Sequence, residues 1–415
     1  GHICAYMFDV LMRIYEAYGY TAREAVRSIV ENNIYGLDID ERAAQLAYFS
    51  VMMKARQYDK RFLTRKDEDG KPDVPRPHVY EIFESNGLDR SAIGYFIGDD
   101  PEIKKAINSL ISEMHDAKEY GSILNITPVD FKALYRRFDE VLSDPSIFNL
   151  VIENDLLPLV RVSEILAQKY DVVITNPPYM SVSAIGAKLN TYVMRNYPDS
   201  KADMFAVFME KCKAMLKING YQAMITMHAW MFLASYENLR KKIYRQHIVN
   251  IAHLGPRAFE EISGEIVQTT SFVFRNSYTK NYRGVYRRLV EYASQSKKEE
   301  AFLTGEGQYT SKQDGFDAIP GAPVAYWVSE QFLSCYENPL ISTVAFSDGQ
   351  ILTGNNDKYL RNIWEVSKEA IEQRAWALHA KGGEFRRWYG NIDTVVKFDP
   401  ATIAHYKRGK IARFP

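Results

Sequence analysis

Apolar side chains recur at Ile3, Met7, Val10, Leu11 and Ile14, the spacing of one helical face, and predict an opening helix over residues 1–18. Ile34 to Asp40 is a short apolar strand ending in acids, and Ala43, Leu46, Ala47 and Met53 give the following stretch, Arg42 to Arg56, a helical face. Strand, acidic turn and helix is the unit of a doubly wound sheet. Residues 59–77 are charged and rich in Gly and Pro, a surface excursion. His78 to Phe83 is a strand candidate and Ile103 to Ala117 a helix. A further helical stretch covers 128–169, broken at Asp144-Pro145 and Leu157-Pro158. The expectation is a mostly helical insertion over about 59–169.

Tyr170 to Thr175 has the composition of a buried strand and runs straight into Asn176-Pro177-Pro178-Tyr179. A helix over Ala202 to Lys217, stopped by Asn219-Gly220, precedes a strand over Tyr221 to Met227, and another helix covers Tyr236 to Arg245. Ile266 to Phe274 and Gly284 to Glu291 read as an antiparallel hairpin, and 294–323 as polar linker. The fold class is therefore α/β: a Rossmann-like mixed sheet, mostly parallel, with a terminal antiparallel hairpin and a helical insertion. One domain is expected over 1–335 and a second, incomplete one over 340–415.

Composition narrows the function classes. With 415 residues, 46% of them hydrophobic, and 52 basic against 52 acidic side chains, the chain can bury two or three cores and is no tail-driven polycation. The longest nearly apolar stretch, Ala223 to Ala234, is too short to span a bilayer, and Ile3 to Met12 lacks the basic leader of a signal peptide. Three scattered cysteines, Cys4, Cys212 and Cys335, give neither a disulfide framework nor metal-ligand spacing, so no metal is expected and a cytoplasmic setting fits.

The chemistry concentrates at Asn176-Pro177-Pro178-Tyr179. Ligands bind at the carboxyl ends of strands in open α/β sheets. The Asn176 side-chain oxygen and the Pro177 carbonyl can both accept from one exocyclic amine, the prolines stiffen the turn, and Tyr179 offers a flat face for stacking. An amine gripped by two acceptors becomes a better nucleophile towards a neighbouring sulfonium methyl, with no general base required. Asp38, ending its strand, can accept both hydroxyls of a ribose, with Ile39 packing on the adenine of an adenosine-containing cofactor; Asp40 is the helix cap. No phosphate-binding loop, Gly-x-Ser-x-Gly elbow or His-Glu-x-x-His occurs. The acid-x-Lys pairs at Glu102 and Asp116 fall in helical stretches, so no cleavage activity is assigned. His228 is read as structural.

Gly36-Leu37-Asp38-Ile39-Asp40 and Val173-Ile174-Thr175-Asn176-Pro177-Pro178-Tyr179 resemble the motif pair of S-adenosylmethionine-dependent DNA adenine methyltransferases. Lys201 to Phe205, Leu216 to Gly220, the strand ending at Met227 and Ser263 to Thr270 resemble the motifs that follow. Two late stretches, Gly349 to Arg361 and Lys381 to Asn391, resemble the PglX methyltransferases of BREX phage defence and the related type IIG restriction-methylation enzymes. The resemblance implies site-specific methylation of adenine in double-stranded DNA, S-adenosylmethionine as cofactor, base flipping, and other defence-system proteins as partners. It implies Asn176, Pro177, Pro178 and Tyr179 as the catalytic turn and Asp38 and Ile39 as cofactor residues. Gly1 and His2 match the end of the family's Gly-rich first motif, and the family's target-recognition region runs beyond residue 415. The chain is thus expected to be truncated at both ends, to bind cofactor poorly and to methylate little. Lys381, Arg386 and Arg387, beside a Gly-Gly turn, and Arg361 are the expected DNA contacts, with Arg240, Lys241, Lys242 and Arg245 a basic helical face that is as readily solvated surface. The alternatives are a fragment of a bifunctional endonuclease-methyltransferase and a non-catalytic DNA-recognition subunit.

Overall fold

The computed structural model describes residues 1–259, 267–339, 341–345 and 351–408. Ser263 to Ile266, Gly349 and Gln350, named above, lie outside them. The chain divides into two compact units, Gly1–Ser334 and Cys335–Pro415.

The first unit opens with α1 (His2–Ala17) and α2 (Ala22–Ser28), the latter started by a capping box between Thr21 and Glu24. β1 (Tyr35–Asp38) leads into α3 (Glu41–Tyr58), where the Asp40 carboxylate accepts the Ala43 N–H at 2.9 Å, as the capping argument requires. Phe8 and Met12 of α1, Val26 and Ile29, and Val51 and Ala55 of α3 form one core. β2 (His78–Glu81) pairs parallel with β1, Tyr35 opposite His78 and Asp38 opposite Glu81. This strand therefore belongs to the sheet layer and not to the helical excursion that surrounds it in sequence.

A helical layer follows: α4 (Arg90–Ile97), α5 (Pro101–Glu113), α6 (Ala117–Tyr120), α7 (Phe131–Ser143), α8 (Asn149–Val151) and α9 (Leu157–Ala167). Its core joins Phe96, Ile107, Leu110, Leu134, Phe138 and Leu159. The expected break at Leu157-Pro158 is not one. A π-turn over Ile152–Leu156 runs from α8 straight into α9, and Pro158 follows it directly, where the widened turn accommodates a residue without an N–H donor.

β3 (Tyr170–Thr175), α10 (Ala187–Asn196), α11 (Met204–Ala214), β4 (Leu216–Met227), α12 (Glu237–Ile243), β5 (His247–Gly255), β6 (Thr269–Arg275), β7 (Arg283–Arg288), α13 (Gln295–Thr304), β8 (Gln308–Lys312) and α14 (Glu330–Ser334) complete the unit. Among the described residues the main sheet runs β3-β4-β6-β5-β7-β8, with β3·β4 and β5·β7 parallel and the other three pairs antiparallel. Its core gathers Phe205, Trp230, Ile251, Phe272, Phe274 and Tyr286.

The mixed α/β sheet is as expected, but several details differ. The sheet is not mostly parallel. The expected hairpin of β6 with β7 does not form: β6 inserts between β4 and β5, and β7 pairs with β5. β5 had no strand signal because His247, Asn250 and His253 interrupt its apolar run, yet both histidines bond side chains from other elements, His253 through both ring nitrogens and His247 through Nδ1. Finally, 294–323 is not linker, since it holds α13 and β8, and Gln313 caps the sheet by bonding Ile248, Tyr244 and Gln246.

Asn219-Gly220 likewise sits inside β4 and does not terminate a helix at Lys217. Asn219 has φ 66°, and a Cβ on Gly220 would lie 3.0 Å from the Asp171 and Tyr170 carbonyls, so the close approach to β3 calls for glycine. β1 and β2 form a separate pair: no ladder joins β1 to β3, although Tyr35 meets Tyr170 edge-on at 5.6 Å.

The second unit holds α15 (Asn356–Tyr359), β9 (Leu360–Asn362), α16 (Lys368–Glu372), β10 (Trp376–His379), β11 (Thr394–Lys397) and α17 (Pro400–Arg408). Its antiparallel sheet has the order β10-β11-β9, and Leu360, Val396 and Tyr406 form a small core.

Candidate active site

The turn after β3 is built by its neighbours. Pro177 is buried while Asn176 and Pro178 are exposed, so the amide of Asn176 stands out from the sheet edge on an anchored proline. Asp203, the cap of α11, holds the far side of the turn. Its Oδ1 accepts the Met180 N–H at 3.1 Å and the Phe205 N–H at 3.3 Å, and the Met204 N–H donates back to the Met180 carbonyl at 3.0 Å. Burial raises the Asp203 carboxyl above the usual range, against the opposing pull of the three backbone N–H groups. Tyr179 is half-buried, its ring edge-on to Phe205 at 6.4 Å. Its hydroxyl is buried without a hydrogen-bond partner among the described residues, and burial alone pushes it up to about 12.

A cavity of about 460 Å³ opens between β1 and β3. Gly1, His2, Asp38 and Asn176 all line it, so the two sequence motifs, more than 130 residues apart, share one space. Asp38 is half-buried and its Oδ1 accepts the Asp40 N–H at 3.0 Å, which fixes the carboxylate while leaving acceptor capacity. Ile39 does not line the cavity. Its Cδ1 lies 3.6 Å from where a Cβ on Gly121 would stand. Tyr35, Gly36, Leu37 and Asp38 line the cavity from β1.

The Eco57I restriction-modification methylase model matches residues 32–259, more than half of the chain. The chain belongs to this family. It is 37% identical over 96% of its length to the adenine-specific methyltransferase PglX of Lacticaseibacillus casei (strain Zhang), covering 34% of that protein. It is 35% identical, again over 96% of its length, to the adenine-specific methyltransferase BrxX of Escherichia coli O9:H4 (strain HS), covering 35% of it. The chain thus spans about a third of the length of these relatives. Among solved structures, a nuclease-deletion mutant of the Type ISP restriction-modification enzyme LlaGI in complex with a DNA substrate mimic aligns over 87% of this chain and 27% of that one, at 11% identity and a TM-score of 0.45.

Within this Eco57I-type methylase chain, one cavity residue escaped the sequence reading. Lys211 of α11 lines the space, 4% exposed, its ammonium donating to the Leu124 carbonyl and, at 3.3 Å, to the Asn125 side chain; burial lowers it to about 8. Nothing in an amphipathic helix marks a lysine as inward-facing. Asp203 lay in a stretch noted for its resemblance, but its clamp on Met180 needed the fold.

The basic residues separate. Arg240 is buried, not a DNA-facing cation: its guanidinium donates to the carbonyls of Trp230, Leu233, Gly321 and Ala322. Lys241 pairs with Glu237 at 2.6 Å and Lys242 with Asp199 and Glu210 at 2.7 and 2.6 Å, while Arg245 is exposed. In the second unit, Arg361 is half-buried and donates to the Asp357 and Leu360 carbonyls, both at 2.6 Å. Lys381, Arg386 and Arg387 are exposed on a loop turned by Gly382 at φ 81° and closed by the Asn391 amide on the Glu384 carbonyl at 2.7 Å. Arg387 lies over the Trp388 ring at 5.7 Å. No helix among the described residues is long and apolar enough to cross a membrane.

Proposed function

We propose that this chain carries the methyl-transfer centre of a site-specific DNA adenine methyltransferase acting in phage defence or restriction-modification. The observation that carries the reading is the common cavity of Asp38 and Asn176. A volume of about 460 Å³ falls in the range of small-molecule sites, and a half-buried carboxylate with spare acceptors suits the ribose of S-adenosylmethionine. When bound, that cofactor would supply a sulfonium methyl.

The remaining steps belong to the chain's own residues. Asn176 Oδ1 and the Pro177 carbonyl accept the two protons of the adenine amine and orient its lone pair. Pro178 limits the turn's freedom, and the Tyr179 face stacks on the extruded base. Asp203 keeps the turn in place, and Gly1 and His2 border the cofactor's cavity. Extrusion of a base costs a few kcal/mol, which contacts from Lys381, Arg386, Arg387 and Arg361 to double-stranded DNA help to offset. The names of the two relatives support adenine as the target, and DNA and defence proteins as partners follow from the same reading.

The test is the formation of N6-methyladenine in duplex DNA, read by mass spectrometry, alongside calorimetric S-adenosylmethionine binding. Asn176→Ala should abolish methylation and leave cofactor binding unchanged, while Asp38→Ala should weaken binding about tenfold, the cost of charged hydrogen bonds. Methylation that is measurable in the wild type and equal in Asn176→Ala overturns the reading.

A further inference from the structure

Three side chains from separate elements form a hydrogen-bonded chain near the carboxyl ends of β4 and β5. His228, just past β4, has its Nδ1 2.8 Å from Nε2 of His253 on β5, and Nδ1 of His253 lies 3.0 Å from the hydroxyl of Tyr326. His253 is 5% and Tyr326 2% exposed, and the Tyr326 ring stacks on Tyr286 at 4.8 Å.

The proton positions follow from counting donors. Tyr326 has one hydroxyl proton, and among the described residues its hydrogen-bond partner is His253. The phenol therefore donates to His253 Nδ1, which puts the His253 proton on Nε2, where it donates to His228 Nδ1. His228 must then carry its own proton on Nε2. The opposite direction would strand the phenolic proton in the core without an acceptor. Burial keeps the chain neutral: His253 is held down to about 3, with the His228, Arg288 and Lys298 charges adding to the effect, and His228 is also lowered.

A buried histidine with satisfied nitrogens is commonly only structural. This chain, however, ends at a half-exposed ring, and His228 Nε2 has no protein partner among the described residues. The register shows which end of the sheet that ring occupies. Thr175, the last residue of β3, pairs with Met224 on the parallel β4, which runs on through Met227 beside β6, so Asn176 to Tyr179 and His228 follow the carboxyl ends of adjacent parallel strands, with β4 reaching three residues further. Tyr179 and Phe232 pack on one core, and Phe232 stands edge-on to His228 at 5.7 Å.

We propose that His228 is a specificity residue of the Asn176 site, presenting a fixed Nε2–H donor to a ring nitrogen of the target adenine, with His253 and Tyr326 as positioning residues behind it. The proposal rests on the adenine-methylation reading above. Asn176 and Pro177 take both amine protons, and the ring nitrogens that flank the amine, N1 and N7, are acceptors only. A neutral imidazole locked as a donor recognises such a nitrogen, whereas one free to exchange tautomers would accept as readily as donate.

The experiment uses the 415-residue chain and duplexes bearing one unpaired adenine, 1-deazaadenine or 7-deazaadenine, with binding followed by fluorescence anisotropy. Wild type should bind one deaza probe about five- to tenfold more weakly than adenine, the contribution of a single hydrogen bond. His228→Ala should bind adenine and that probe equally, and His228→Gln, whose amide N–H reaches a similar position, should restore part of the preference. Nitrogen-15 NMR should show both rings as Nε2–H tautomers, with mixed tautomers in Tyr326→Phe. Equal wild-type affinity for all three probes, together with a preference for the unpaired base over a plain duplex, overturns this proposal and leaves the functional reading standing. No binding to any duplex overturns both.

Discussion

Replacing Asp203 by alanine tests whether the catalytic turn is held from outside itself. The substitution removes the acceptor for the Phe205 N–H at the start of α11, a helix cap that contributes about 1 kcal/mol, and the acceptor for the Met180 N–H, a charge-assisted bond of similar size. The expected loss is about 2 kcal/mol, read from the urea midpoint at constant slope. Asp203→Asn keeps the Oδ1 acceptor and sheds the charge that burial disfavours, so it should fall within about 0.5 kcal/mol of wild type. Methylation should follow the same order, because the turn carrying Asn176 stays clamped in the Asn variant and not in the Ala variant. The sign of the pH dependence is a second check. The folded carboxyl is raised above the unfolded one, so its contribution is fully present below the unfolded value and is lost as pH rises through the folded one. Asp203→Asn should remove that slope. An Ala variant as stable as wild type, or an Asn variant as weak as the Ala variant, refutes the clamp.

Two further outcomes follow from buried groups. The folded state keeps His253 neutral down to about 3, so below the ordinary imidazole range the unfolded chain takes up a proton that the folded chain does not, and stability falls with falling pH by up to about 1.4 kcal/mol per unit. Acid unfolding of His253→Asn should show a shallower slope, and an identical slope would exclude His253 as its source. Arg240→Met removes the guanidinium donor from the Trp230 and Gly321 carbonyls, while the Leu233 carbonyl keeps the Tyr236 N–H at 3.1 Å and the Ala322 carbonyl the Tyr244 hydroxyl at 2.7 Å. Denaturant titration should show a loss of about 3 kcal/mol or more, and a loss under 1 kcal/mol would return Arg240 to the surface reading.

Much of the local structure was legible because it depends on neighbours in sequence. The faces of α1 and α3, the Asp40 cap and the strand leading into Asn176-Pro177-Pro178-Tyr179 are set by period, capping chemistry and β-branched composition. The two late stretches carried the family resemblance for the same reason: their residues can be read without knowing their contacts. β5 was not legible. Its histidines look misplaced in a core until Tyr326 and Ser277 arrive to bond them.

By itself, then, the sequence determined the α/β class, the turn chemistry and the acid that ends β1. Only the tertiary structure brought Asp38 and Asn176 to one cavity and withdrew Arg240 from the basic face into the core. It also inserted β6 between β4 and β5, which the order of strands along the chain did not suggest. The physical reason is common to these cases. Helix faces, caps and turns are fixed by interactions over a few residues, whereas burial of a charge and the pairing of strands are decided by partners that lie far away in sequence.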